Sequence, residues 1–132
     1  MKNQSSNNGQ SLIEMLAAIA VMIVVILALV AITTAAIRNA SFARNQATAT
    51  KYAQEGIEKV RAYRDGTDWA VFAAGCTENM SVLDLPSLLS PFERTIICSD
   101  TNEIKTVTVT VSWTDSKGSH KSEITTRFTN WK

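Results

Sequence analysis

Gly9-Gln10-Ser11-Leu12-Ile13-Glu14 leads directly into an apolar run, Met15 to Ile32, and this junction decides how the chain reads. The run carries no charge, no polar side chain, no Gly and no Pro, and Thr33 to Ile37 prolong it until Arg38. A helix of that length rises roughly 30 Å, the thickness of a hydrocarbon core. The run exceeds a secretory h-region of about 7–15 residues. Were it a signal sequence, the small-residue stretch Ala31 to Ala36 is where a cut would fall. The length favours a membrane span. Within it Glu14 stands out, because a carboxylate in an apolar segment is costly to desolvate and calls for a partner.

The junction resembles the N-terminus of the type IV pilin-like (prepilin) family, most closely its minor pilins and type II secretion pseudopilins. The resemblance rests on a short leader ending in Gly9, then apolar residues, Glu14 fifth after the cut, and a long apolar helix. It implies cleavage after Gly9 by a membrane prepilin peptidase, which also methylates the new amine of Gln10. It further implies that Glu14 pairs with the N-terminal amine of a neighbouring subunit during assembly. A buried carboxylate beside an ammonium offsets a desolvation cost that neither bears alone. The implied partners are the peptidase/methylase, other pilin or pseudopilin subunits, a membrane assembly platform and the lipid bilayer. Three features depart from the family pattern: Gln10 replaces the common Phe, the leader holds only Lys2 as a basic side chain, and the membrane helix lacks Pro.

Outward from the junction, 132 residues suffice for an anchor and one small domain. Mean hydropathy near zero averages an apolar first quarter with a polar remainder. The positive-inside rule, applied to Arg38, Arg44 and Lys51 after the span against Lys2 before it, would put the C-terminal part in the cytoplasm. The family resemblance instead implies an exoplasmic head.

The helix need not end with the span. From Arg38 to Arg64 there is no Pro and only one Gly, Gly56. Ala49, Ala53, Ile57, Val60 and Tyr63 follow the spacing of an amphipathic helix. Lys51, Glu55, Glu58, Lys59 and Arg61 lie off that stripe, with Glu55 and Lys59 a favourable i, i+4 pair. Gly66 marks a helix end. One helix from about Leu12 to Arg64 is expected, the alternative being two helices with a break near residues 33–39. Gly56 suggests close packing against a sheet or a neighbour. The stretch Ala53 to Arg61, with Arg64, Asp65 and Trp69, also resembles the matching helix of minor pilins and pseudopilins.

Residues 66–92 read as irregular, with Trp69, Val71 and Phe72 as apolar anchors. Pro86 would open a single helical turn, and Leu83, Leu85, Leu88 and Leu89 would cover the bottom of a small core. Beyond Glu93 the period becomes two. Arg94 to Ser99 is a short candidate strand, and Val107, Val109, Val111 and Trp113 alternate with Thr106, Thr108, Thr110 and Ser112 in a second. Asp115-Ser116-Lys117-Gly118 is a hairpin turn, and Lys121 to Trp131 returns, with Ile124 and Phe128 on one face. The strand pair ending in Thr129-Asn130-Trp131 again resembles the pilin-like C-terminus.

The expected fold class is α+β: a long N-terminal helix, membrane-spanning then amphipathic, packed on a small three-stranded antiparallel sheet, pilin-like. The leader is residues 1–9, the filament-core helix 10–37 and the exoplasmic head 38–132. Within the head the amphipathic helix takes 38–65, the loop 66–92 and the sheet 93–131. If the head is exoplasmic, a disulfide between Cys76 and Cys98 would close the loop between them; the alternative is two buried thiols.

No catalytic constellation is legible. His120, the sole His, stands by the hairpin turn and reads as solvated, while Glu78, Asp84 and Glu93 are scattered. Ser–His–Asp, HExxH, P-loop and GxGxxG patterns are missing, and two Cys cannot make the usual four-ligand zinc site. Neither an enzyme nor a cofactor is expected. Arg38, Arg44, Lys51, Lys59, Arg61 and Arg64 would suit DNA uptake, but Glu55, Glu58 and Asp65 dilute them, and with a net charge of +1 no nucleic acid is expected. The functional expectation is a structural subunit of a type IV pilus or type II secretion pseudopilus. That subunit would be a single-pass cell-membrane protein before processing and a filament component at the cell surface afterwards. A major pilin is a variant of this reading. The alternative of another class is a single-pass protein with a small exoplasmic binding head that never polymerises.

Overall fold

A computed structural model describes residues 8–77, 80, 83, 85–101 and 104–130. Residues 1–7 of the leader, Glu78, Asp84 and Trp131 lie outside that set. Helix α1 spans Asn8–Gly66, α2 spans Trp69–Gly75, and strands β1 (Glu93–Thr101), β2 (Ile104–Asp115) and β3 (Gly118–Phe128) follow. Two compact units divide the chain, Met1–Phe42 and Ala43–Lys132.

The first unit is a helix alone. Residues 33–39, where a break was the alternative, are helical. Thr33 and Thr34 do not interrupt the turn, because their hydroxyls donate to the carbonyls of Leu29 and Val30, each at 2.8 Å. This folds two polar groups onto the backbone and prolongs the apolar surface.

In the second unit the later turns of α1 pack on an antiparallel meander of order β1-β2-β3. Ala49, Ala53, Ile57 and Val60 are buried against Val107, Val109, Val111 and Trp113, which the register of β2 places on one face. Burying Ile57, Val60 and each of the three valines stabilises by about 1.5–3 kcal/mol per side chain, and each alanine by less. Gly56 is the point of closest approach to the sheet: a Cβ there would meet Val109 Cγ1 at 2.9 Å. Thr50 and Ser122 exchange a hydroxyl contact at 3.0 Å beside this seam.

Several local expectations are corrected. Residues 69–75, assigned to the loop, form α2, which drives Phe72 fully into the core while leaving Val71 53% exposed. The turn near Pro86 is not helical. Leu83, Leu85 and Leu88 do pack on the core, but Leu89 is 78% exposed. β1 and β2 are longer than read, and β3 runs Gly118–Phe128, so it starts earlier and ends before Thr129. Glu58, not Glu55, forms the helix ion pair, with Arg61. Gly66 ends α1 without a left-handed conformation; Gly118, at φ 124°, is the described glycine that needs one.

Candidate functional site

The N-terminal helix presents the most unusual surface. Leu12, Ile13, Met15, Leu16, Val24, Leu27 and Ile32 are all between 59% and 70% exposed. None of the most apolar window is buried within the chain. The core helix of a soluble protein would show the opposite, since such a helix has its apolar side chains covered. A surface this large and apolar requires lipid or other apolar helices around it. The chain carries one helix able to cross a membrane, by length and composition, among the described residues.

Gly9, Gln10 and Glu14 all fall in the first turns of α1. Gln10 and Glu14, four residues apart, share one helix face. Glu14 is exposed and has no ion-pair partner among the described residues. The Gly9–Gln10 bond lies in the first turn of α1, where backbone N–H groups lack intrahelical carbonyl partners. Glu14 is a lone carboxylate beside the apolar run that begins at Met15.

Cys76, just after α2, is joined to Cys98 of β1 by a disulfide with a Cα–Cα distance of 5.4 Å. That spacing suits the bond. The Cys98 N–H donates to the Thr77 carbonyl at 3.3 Å, so the segment after α2 also covers part of the outer edge of β1. Disulfides persist in oxidising compartments.

His120 is not solvated as expected. Its ring lies 5.4 Å from that of Trp113, its cross-strand partner, and its Nε2 is 3.0 Å from Asp115 Oδ1. The same oxygen accepts the Lys117 N–H at 2.7 Å. That backbone bond, followed by the His120 contact, holds the Asp115 carboxyl below its ordinary 3.8. The group closes the β2–β3 turn and gathers no nucleophile. No cluster of three His, Cys, Asp or Glu able to hold a metal occurs among the described residues.

The basic stripe does not form as a continuous surface. Arg64 is buried beside Asp65, and Arg61 pairs with Glu58. Sequence reasoning missed Arg94, whose guanidinium donates to the carbonyls of Pro86 at 3.0 Å and Tyr52 at 3.4 Å. It lines an open groove of about 750 Å³ with Met80, Leu85, Leu88 and Phe92. Strand position alone marked Arg94 as part of a candidate strand and carried no sign of these partners.

A long apolar N-terminal helix whose later turns pack on a three-stranded antiparallel meander is a pilin-like architecture. No family model, no curated protein and no solved structure matches the chain, so the likeness rests on architecture.

Proposed function

We propose that the chain is a structural subunit of a type IV pilus or a type II secretion pseudopilus, inserted in the membrane as a prepilin and assembled through its N-terminal helix. The observation that carries this reading is the junction itself. The apolar helix is exposed throughout its most apolar stretch, and Glu14 is the sole carboxylate before Glu55. In the mechanism, a prepilin peptidase removes residues 1–9 and methylates the Gln10 amine. The Gln10 ammonium of one subunit and Glu14 of the next then neutralise each other as both leave water. The apolar helices pack together by close dispersion contact, as helices do in lipid. The role is structural rather than catalytic. The head, with its Cys76–Cys98 bond, suits the exoplasmic side.

Mass spectrometry of the N-terminal peptide, from protein extracted from its native membrane, tests the proposal. A chain beginning at Gln10 with a methylated amine is the expected result. An intact terminus at Met1 or Lys2 overturns it and favours a single-pass protein whose groove beside Arg94 binds a partner. A terminus beyond residue 30 also overturns it, leaving a secreted head.

A further inference from the structure

We propose that the cleft between the end of α1 and the end of β3 binds a phosphate group. The cleft measures about 300 Å³, and three arginines line it: Arg61 and Arg64 from α1, and Arg127 from β3. Arg64 is 7% exposed and is held in place by hydrogen bonds. Its Nη1 donates to Asp65 Oδ1 at 2.9 Å and its Nη2 to the Thr129 carbonyl at 3.1 Å. Arg61 is half exposed, with one nitrogen on Glu58. Arg127 is exposed and makes no ion pair among the described residues. The three cations outnumber the two carboxylates bonded to them, Asp65 and Glu58, in a chain whose overall charge is +1.

The concentration of charge is a product of the fold, since Arg127 is far from Arg61 and Arg64 in sequence. A guanidinium offers five donors in a planar fork, so the bond of Arg61 to Glu58 leaves it able to bind an anion beside Arg127, while Arg64 contributes a fixed buried charge. A carboxylate ligand presents two oxygens in one plane and is satisfied by one arginine. A tetrahedral phosphate presents oxygens in several directions, which suits arginines arriving from a helix and a strand. This inference does not depend on filament assembly, because it concerns the head alone.

The phosphate can come from solution or from a lipid headgroup. The test is thermal unfolding of the full chain in phosphate-free maltoside micelles, followed by Trp fluorescence. Inorganic phosphate is titrated in one arm and short-chain phosphatidylglycerol in the other, against chloride at matched ionic strength. A saturable rise in Tm with phosphate is expected, weakened roughly tenfold or more in Arg127→Gln, where a charged hydrogen bond is lost. Arg38→Gln, distant in sequence from the cleft, should respond as the unmodified chain does. A response to phosphatidylglycerol alone, lost in Arg127→Gln, supports the site and assigns the phosphate to a headgroup. A rise equal in chloride, or one unchanged in both Arg127→Gln and Arg61→Gln, overturns the proposal.

Discussion

At position 56 a single hydrogen atom decides how closely helix and sheet meet. A methyl group there would stand 2.9 Å from Val109 Cγ1, and Val109 is fully buried with a stiff side chain. Gly56→Ala gains about 1 kcal/mol of helix propensity but incurs overpacking of about 1–3 kcal/mol. The expected net effect is a modest loss of head stability, growing to several kcal/mol for Gly56→Leu. Gly66→Ala is the contrast, since nothing lies within 4 Å of a Cβ there, and it should be neutral or stabilising. Urea unfolding of the micelle-held chain, read by Trp fluorescence, checks both; equal behaviour of Gly56→Ala and Gly66→Ala would refute the close-approach argument. Asp115 supplies a second residue-scale effect. Its carboxyl is held below 3.8 chiefly by the Lys117 N–H and then by His120. The unfolded state thus binds the proton more readily, so stability rises with pH across the window between the two pKa values. The contribution is complete above 3.8 and disappears as pH falls through the lower folded value. Asp115→Asn should flatten the acid limb of a stability–pH curve and leave the neutral region less affected.

Elements differ in how plainly the sequence announces them. β2 was legible because Val107, Val109, Val111 and Trp113 alternate with hydroxyl residues, and all four are buried. The α1 stripe was legible for the same reason at helical spacing. α2 was not, because seven residues hold too few turns to show a period, and its stability comes from Phe72 packed against Tyr63, Trp69 and Phe128. The burial of Arg64 was hidden by its charge, although it lies four residues after Val60 on the buried stripe. The stacking of His120 follows from the Asp115↔Gly118 register, which places Trp113 opposite it. A turn motif alone does not reveal that neighbour. Between α2 and β1 the chain is tied by the Cys76–Cys98 bond, 22 residues apart. Closing a loop of that size stabilises by about 3 kcal/mol in the chain-entropy picture. The double variant Cys76→Ser, Cys98→Ser should lose about that much and become insensitive to added reductant. An unchanged urea midpoint would show that the bond contributes nothing to the head.

Across the whole molecule the two units obey different solvents. The later unit buries the apolar stripe of residues 49–60 within the chain, whereas residues 11–37 leave theirs exposed, and only surrounding lipid or like helices can satisfy it. The sequence disclosed this division through the uninterrupted run Met15 to Ile32, since no globular core was available to cover it. What it could not disclose is which surroundings the helix finally keeps, because lipid and neighbouring apolar helices offer similar contact to Leu, Ile and Val. Glu14 separates the two. In lipid it is a cost of about 2.5–3.5 kcal/mol near the centre and less near the surface. In the proposed filament that cost would be offset by the amine of the adjoining subunit. Glu14→Gln keeps the size and hydrogen-bonding capacity but removes the charge, and Glu14→Ala removes both. Each variant should insert at least as well as the unmodified chain and be cut after Gly9, yet enter sheared filaments far less. Immunoblots of membrane and sheared fractions, alongside N-terminal mass spectrometry, separate processing from assembly. Normal filament content in both variants would remove Glu14 from the mechanism, whereas loss of cleavage would place its action at the peptidase.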